Sequence, residues 1–220
     1  AQVDINGSHI GRRTKISYPV TGDVAATIEN ILPHVDEKKD RSFLDKMLKK
    51  HYGKLEHVVE AYTSNVDKHT PIHPEYVADL IDKNADEDAI FTVDTGMCNV
   101  WGARYITANG KREQIGSFRH GTMANALPQA LGAQAANPGR QVITFSGDGG
   151  LSMLMGELLT VKLHNLPIKM FVFNNSSLGM VKLEMLVQGL PEHETDHDSV
   201  NFAKIAEASG IKHFRIEDPK

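Results

Sequence analysis

Residues 141–151 read Gln-Val-Ile-Thr-Phe-Ser-Gly-Asp-Gly-Gly-Leu, an apolar run followed by a glycine-rich turn. The run Val-Ile-Thr-Phe carries bulky or β-branched residues on both faces, which is typical of a buried strand in a parallel sheet. A helical pattern follows over residues 151–164, so the glycines lie at a strand-to-helix turn. Glycines at such a turn let backbone N–H groups approach a phosphate, and the start of the helix adds a favourable partial charge. The stretch therefore predicts an anion-binding turn in an α/β domain.

Four other runs rich in β-branched or aromatic residues also predict strands. Helical patterns separate the later runs; one begins at Pro74, and others cover residues 123–136, 151–164 and 202–209. Because strands that alternate with helices indicate a parallel sheet flanked by helices, the predicted fold class is α/β. The five predicted strands are residues 2–6, 89–94, 141–146, 168–174 and 212–216.

The composition excludes several classes of protein. The 220 residues carry a formal charge of −4 in segments of mixed sign, which gives no electrostatic footprint for nucleic acid. The one cysteine, Cys98, excludes an internal disulfide, and no apolar run is long enough to cross a membrane. Since the first residues do not resemble a signal peptide, the expected location is the cytoplasm.

The first third of the sequence follows a different pattern. Residues 41–63 repeat apolar positions at intervals of three and four among many charges, which predicts an amphipathic surface helix with a break at Gly53. Residues 64–71 are polar and end in proline, as a linker would. Residues 2–6 predict a strand that has no earlier strand to pair with, so the N-terminus resembles the end of another domain.

Asp148 in the glycine turn points to a metal ion. A carboxylate in a phosphate cradle would repel the ligand unless a cation lay between them, and Mg²⁺ suits that position. Asn174 and Asn175 end the next predicted strand, and parallel strands bring their carboxyl ends to one edge of the sheet. Alone, these asparagines would indicate an ordinary turn. Together with Asp148 they predict a Mg²⁺–diphosphate site.

The spacing of these motifs resembles a known cofactor motif. Gly-Asp-Gly at 147–149 followed by Asn-Asn at 174–175 is similar to the thiamine diphosphate motif. Residues 116–134, Gly-Ser-Phe-Arg-His-Gly-Thr-Met-Ala-Asn-Ala-Leu-Pro-Gln-Ala-Leu-Gly-Ala-Gln, closely resemble the pyruvate dehydrogenase (quinone)/pyruvate oxidase family, and residues 43–46 and 173–179 extend the resemblance. It covers essentially the whole chain, aligned to the C-terminal half of a three-domain subunit, and implies the thiamine diphosphate-binding fold.

The resemblance assigns roles to individual residues. It implies that Mg²⁺ is bound by the side chains of Asp148 and Asn175 and by the carbonyl of Ser177. It makes Met123 the catalytic residue that bends the cofactor; the alternative for Met123 is a buried helix residue, which its unbranched side chain also suits. The implied cofactor-binding residues are Gly121, Thr122, Met123, Asp148, Gly149, Gly150, Asn175, Ser176, Ser177, Leu178, Gly179, Met180 and Val181.

Several other residues have simpler interpretations. Thr95 and Gly96 are candidate neighbours of the phosphates, and His120 fits a site residue or a structural one equally well. Trp101 and Tyr105, four positions apart, are expected to pack. Residues 192–198, Glu-His-Glu-Thr-Asp-His-Asp, predict a solvated acidic loop rather than a metal cluster.

The resemblance also accounts for the N-terminus. Residues 2–6 resemble the last part of an FAD-binding middle domain, in which the residue matching Asp4 contacts FAD. The implied domains are residues 1–35, the remnant of that FAD-binding domain; residues 36–70, a linker helix; and residues 71–220, a C-terminally incomplete domain that binds thiamine diphosphate and Mg²⁺.

The function implied by the resemblance is oxidative decarboxylation of pyruvate to acetate and CO₂, with electrons passed through FAD to a quinone. One alternative is an acetolactate synthase-like carboligase, which needs a second keto acid. The other is an inactive cofactor-binding fragment, because the family takes the glutamate that protonates the aminopyrimidine from an N-terminal domain with no counterpart in these residues. We therefore expect the chain alone to lack pyruvate-oxidising activity.

The resemblance implies partners as well. Besides pyruvate and a quinone, it implies a homo-oligomer of the full-length subunit, as a dimer or a homotetramer. Contact with the inner face of the cell membrane is expected only through a C-terminal segment that these residues do not include. No nucleic acid partner is expected.

Overall fold

The computed structural model describes residues 1–219, apart from the side chains of Leu55, Val58 and Asp67. Its contacts divide the chain into two compact units, one of residues 1–53 and one that starts at Lys54. Within residues 1–219, no helix is both long and apolar enough to cross a membrane. The domain boundaries expected after residues 35 and 70 stay predictions.

The first unit begins with a small sheet. Strand β1 (Gln2–Asp4) pairs in parallel with β2 (Pro19–Thr21), so the N-terminal strand has a partner that the sequence did not predict. Helix α1 (Val24–Ile31) follows, and Asp23 caps its start. Each of these strands has three residues, which is short even for an edge strand.

Helix α2 (Ser42–Thr63) crosses the division between the two units. It is continuous through Gly53, so the predicted break is wrong. A glycine inside a helix costs only about 1 kcal/mol relative to alanine, which the rest of a 22-residue helix outweighs.

The second unit contains the predicted parallel sheet and its helices. In the described residues the strands lie in the order β4-β3-β5-β6, and every neighbouring pair is parallel. The elements are α3 (Pro74–Asn84), β3 (Ile90–Val93), α4 (Met97–Tyr105), β4 (Glu113–Gly116), α5 (Ala126–Ala136), β5 (Val142–Gly147), α6 (Asp148–Leu154), α7 (Leu158–Leu163), β6 (Lys169–Phe173), α8 (Gly179–Val187) and α9 (Phe202–Ala208).

Both faces of the sheet are covered, as the apolar runs predicted. Phe91 and Phe145 pack with α3 and α4 on one face, and their rings meet edge to face at 6.2 Å. Ile90 and Val142 pack with α5 on the other face. The α/β class with a parallel sheet flanked by helices is therefore confirmed.

Two predictions about strands are wrong. Residues 212–216 form no strand, and all five are exposed, because no neighbouring strand of the described residues offers them hydrogen bonds. Conversely, β4 was not predicted, since its sequence Glu-Gln-Ile-Gly carries too few β-branched or aromatic residues to stand out.

Candidate functional site

The carboxyl ends of β3, β5 and β6 meet at one edge of the sheet. In the strand register Val93 lies opposite Phe145, and Gly147 lies opposite Phe173. From β3 the chain passes to β4 on one side and returns to β5 on the other, so the strand order reverses between β3 and β5. Open α/β sheets bind their ligands at such a reversal. The predicted metal ligand Asp148 follows β5 at this position.

Asp148 is a buried carboxylate that joins two turns. Its side chain is 3% exposed, although aspartate is rarely buried without a partner. Oδ1 accepts a hydrogen bond from the N–H of Gly149 at 2.8 Å, and Oδ2 accepts one from the N–H of Ser176 at 2.5 Å. These bonds fix the turn after β5 against the turn after β6. Backbone amides therefore set the position of this carboxylate.

The turn after β6 carries the other two predicted metal ligands. Asn175 is exposed, and its Oδ1 accepts a hydrogen bond from the N–H of Ser177 at 3.2 Å. Ser176, between them, has a φ of 54°, in the left-handed region that is unfavourable for a residue with a β-carbon. Within residues 1–219, the Ser177 carbonyl accepts no backbone hydrogen bond. The turn thus leaves a backbone oxygen free for a ligand.

Met123 lies beside the glycine turn. A β-carbon at Gly149 would lie 3.4 Å from Met123 Cε and 3.1 Å from Leu178 Cδ2. The two side chains therefore close around the Cα of Gly149, and any larger residue at this position would enter the space between them. Met123 is half-buried and precedes α5, which begins at Ala126; the predicted helix start at 123 is three residues too early.

The loop before Met123 is fixed by local hydrogen bonds. Gly121 has a φ of 63°, and its N–H donates to the Ser117 carbonyl at 2.8 Å. The Thr122 N–H donates to Ser117 Oγ at 3.1 Å. Gly121 and Thr122 are both exposed. Their backbone is therefore ordered without being buried.

The remaining predicted residues lie in two places: Gly179, Met180 and Val181 begin α8, and Asp4 ends β1. A β-carbon at Gly179 would lie 3.0 Å from Asn175 Nδ2, so this glycine permits the close approach of the two turns. Met180 is half-buried and Val181 is 45% exposed. Asp4 lies in the first unit, where its Oδ1 accepts a hydrogen bond from the N–H of Asn6 at 2.9 Å.

Other sequence interpretations have mixed outcomes. Trp101 and Tyr105 pack against the core beside α3, which confirms that they are packing residues. Thr95 follows β3 at the site edge, and its buried Oγ1 has no partner among the described residues. Gly96 has a φ of 136°, and His120 is exposed.

Residues 192–198 form a loop in which five of the seven residues are exposed, as predicted, but Thr195 packs against the site. Thr195 is 3% exposed, and its carbonyl accepts a hydrogen bond from the Leu178 N–H at 2.8 Å. Lys182 Nζ lies 3.2 Å from Asp196 Oδ2; hydrogen bonds from Ser177 and Lys182 lower the pKa of Asp196. Within residues 1–219, no three His, Cys, Asp or Glu side chains form a metal cluster.

Sequence reasoning missed two residues at this edge. His197 Nδ1 lies 3.1 Å from the Asp198 carbonyl, and its buried Nε2 faces Asp148 Oδ2 at 3.7 Å without a hydrogen bond. Asp94, directly after β3, is 2% exposed and accepts hydrogen bonds from the N–H of Asn125 at 3.0 Å and from its Nδ2 at 3.3 Å. The sequence feature that could have identified Asp94 as a site residue is its position at the end of the predicted strand 89–94.

The donor set fits a Mg²⁺ ion. Asp148, Asn175 and the Ser177 carbonyl supply hard oxygen atoms of the kind that Mg²⁺ prefers. No lysine or arginine of the described residues pairs with Asp148, and the unpartnered Nε2 of His197 faces the same carboxylate. A cation at this position would balance the buried charge.

Comparisons with known proteins identify the family of the second unit. The family described as thiamine pyrophosphate enzyme, C-terminal TPP-binding domain, matches residues 94–220. The chain is 32% identical over 222 residues to the acetolactate synthase large subunit of Lactococcus lactis, covering 100% of this chain and 38% of that protein. It is 31% identical over 233 residues to acetolactate synthase of Mycobacterium bovis, covering 97% of this chain and 36% of that protein.

A third relative is named for the cofactor alone. The Bacillus subtilis protein YdaP, whose name mentions thiamine pyrophosphate and no reaction, is 31% identical over 217 residues. That match covers 98% of this chain and 37% of YdaP. The chain thus spans less than two fifths of the length of each of these relatives.

Proposed function

The chain belongs to the thiamine pyrophosphate enzymes, and we propose that it forms the Mg²⁺- and diphosphate-binding part of an enzyme that joins two 2-keto acids. Thiamine pyrophosphate is the same molecule as thiamine diphosphate. The observation that carries the proposal is that relatives named acetolactate synthase align with 97% or more of the chain, including every segment of the site. The proposal concerns the full-length protein, since the chain spans less than two fifths of these relatives.

The residues of the site have separable tasks. Asp148, Asn175 and the Ser177 carbonyl would bind Mg²⁺, and Gly149 would give the diphosphate access to the backbone at the start of α6. Met123 would shape the other end of the cofactor, because its side chain lies against Gly149. When bound, thiamine diphosphate supplies the nucleophilic carbon needed to decarboxylate a 2-keto acid.

The proposed overall reaction balances without an oxidant. Two 2-keto acids give one 2-hydroxy-3-keto acid with a longer carbon chain and one CO₂, so no electrons leave the site. This differs from pyruvate oxidation, which needs FAD and a quinone, and the comparisons give no support for either of those partners.

Pyruvate oxidation is the second candidate, because residues 116–134 resemble the pyruvate oxidase family. Under it, acetate and CO₂ would form, and electrons would pass through FAD to a quinone. The FAD contact at Asp4 would belong to this reaction alone.

Binding of the cofactor tests the metal site. We expect calorimetric titration of the full-length protein to show thiamine diphosphate binding that requires Mg²⁺. Asp148→Ala and Asn175→Ala should each weaken it at least about 10-fold, because each removes an oxygen ligand. Asn174→Ala is the matched control: the Asn174 side chain donates to the Val200 carbonyl at 2.9 Å and lies outside the ligand set. Unchanged binding in Asp148→Ala and Asn175→Ala would refute the coordination.

Product analysis tests the reaction. We expect the full-length protein with Mg²⁺, thiamine diphosphate and pyruvate to form acetolactate without an electron acceptor. Acetate as the main product, formed only when a quinone or dye is reduced, would overturn the carboligase proposal in favour of the second candidate. The absence of both products would overturn both.

A further inference from the structure

Asp94 is a buried carboxylate that the proposed function does not use. It lies at the point where the strand order reverses, between the end of β3 and the turn that carries Asp148. Its Oδ1 accepts two hydrogen bonds from Asn125, one from the backbone N–H at 3.0 Å and one from Nδ2 at 3.3 Å. Burial nevertheless raises the pKa of Asp94, so desolvation outweighs these bonds. A buried charged group at this cost requires an explanation beyond filling space.

Asp94 contacts two different parts of the site. Its hydrogen-bond donor Asn125 lies two residues after Met123, whereas Gly150, which its Oδ2 approaches closely, lies two residues after Asp148. One carboxylate therefore connects the loop that carries Met123 with the turn that carries the metal ligand.

The contact with Gly150 shows how closely Asp94 approaches the glycine turn. A β-carbon at Gly150 would lie 1.9 Å from Asp94 Oδ2, far inside van der Waals contact. Position 150 therefore requires a glycine, because the Asp94 carboxylate occupies the space that a larger side chain would fill. The predicted role of Gly150 at the diphosphate does not account for this contact.

The backbone of the Met123 loop needs such an anchor. Ala124 has a φ of 62°, a left-handed conformation that costs an alanine on the order of 1–2 kcal/mol. Conformations of this kind persist where the surroundings fix them, and they cluster at functional sites. The Asp94 carboxylate accepts both hydrogen bonds from Asn125, the residue after Ala124, so it stabilises the strained turn that orients Met123.

We propose that Asp94 is a positioning residue that holds the Met123 loop at a fixed distance from the metal-binding turn. The proposal rests on the proposed function, because it assigns Met123 and Asp148 to opposite ends of one cofactor. The two ends differ in their dependence on Asp94: the metal ligand Asp148 has its own hydrogen bonds from Gly149 and Ser176, so the metal end should depend on Asp94 less than the Met123 loop does.

Asp94→Asn tests this separation. Asparagine keeps the shape of the side chain but removes the negative charge, which weakens the hydrogen bonds from Asn125, so the Met123 loop should lose much of its anchor. In titration calorimetry of the full-length protein, we expect Mg²⁺–thiamine diphosphate to bind at least about 10-fold more weakly, since small misplacements of a site residue have effects of this size. Binding of Mg²⁺–inorganic pyrophosphate, which contacts only the metal end, should change less than about 2-fold.

Two further variants complete the experiment. Thr92→Val is the matched control, because Thr92 is a fully buried residue of the same strand whose hydroxyl has no partner among the described residues; both affinities should stay unchanged. Asn125→Ala removes the 3.3 Å bond to Asp94 from the loop side and should repeat the selective effect more weakly, which keeps the test valid if Asp94→Asn does not fold.

The outcomes separate this proposal from the proposed function. Equal losses for both ligands, or no loss for either, would overturn the positioning role. Wild-type protein that binds neither ligand would refute the proposed function instead. Amide hydrogen exchange then decides the present proposal: it should accelerate at residues 124–126 in Asp94→Asn and not in Thr92→Val, and unchanged exchange would overturn it.

Discussion

The two units of this chain use apolar residues in opposite ways. From Lys54 onward, side chains such as Phe91 and Phe145 are fully buried between a sheet and helices on both of its faces. In residues 1–53, no residue is buried, and Phe43 is 70% exposed. Two paired strands of three residues each cannot form a core, whereas a sheet covered on both sides can. The difference indicates that the buried core of the described residues lies in the second unit, which also carries the candidate site.

The largest expected difference between the units concerns phenylalanine. Phe145→Ala should lower the free energy of unfolding by about 3–5 kcal/mol, because it leaves a cavity where the ring meets Phe91 and Phe173, at 6.2 and 5.3 Å. Phe43→Ala is the matched control and should change it by less than about 0.5 kcal/mol. Urea unfolding measures both. Similar losses in the two variants would mean that the comparison of the units is wrong.

Within the second unit, replacing either of two neighbouring glycines by alanine should destabilise the protein to different extents. Gly150→Ala forces a β-carbon onto the hydrogen-bonded Asp94 carboxylate and should destabilise the protein by about 1–3 kcal/mol. Gly149→Ala meets only the ends of Met123 and Leu178, which can rotate, so it should cost less than about 1 kcal/mol while weakening cofactor binding. Thermal unfolding compares them. A larger loss in Gly149→Ala would contradict the close approach of Asp94.

The sequence predicted the second unit better than the first for a physical reason. Strands buried on both faces need continuous apolar runs, so the buried strands β3 and β5 were visible as runs of β-branched and aromatic residues, and so was the half-buried β6. β2 and β4 were missed because they are short and rich in turn or polar residues. Such strands depend on their partners rather than on their own composition.

Site residues could be predicted where a recognisable strand is followed directly by a metal-binding side chain. Asp148 and Asn175 were identified because each follows a visible strand and has a metal-binding side chain. His197 was not identified, because its approach to Asp148 depends on residues 192–198 folding back onto the turn after β6. The role of Asp94 depends on a contact with Asn125, 31 positions later, which no local pattern encodes.

The pH dependence of the free energy of unfolding should reveal the titration of Asp94, the buried carboxylate at the end of β3. The folded state raises the pKa of Asp94 above its ordinary value of 3.8, so the folded state binds this proton more tightly than the unfolded state. The resulting stabilisation is full below pH 3.8 and is lost as the pH rises through the raised pKa, by about 1.4 kcal/mol for each unit of the shift. The difference in unfolding free energy between wild type and Asp94→Asn should therefore fall over this window. A constant or rising difference would contradict the burial of a titrating Asp94.

The smallest expected effect belongs to the first unit, where no core supports a helix. Asp23 caps α1, and its Oδ1 accepts a hydrogen bond from the N–H of Ala26 at 2.9 Å. Asp23→Ala should destabilise α1 by about 1 kcal/mol, because this N–H loses its partner. Amide exchange at Ala26 should accelerate accordingly, by about 5-fold, since 1.4 kcal/mol corresponds to a factor of ten. Asp23→Asn keeps an oxygen that can cap the helix and should exchange like the wild type. Equal acceleration in the two variants would show that the negative charge near the start of α1, rather than the hydrogen bond, stabilises this helix.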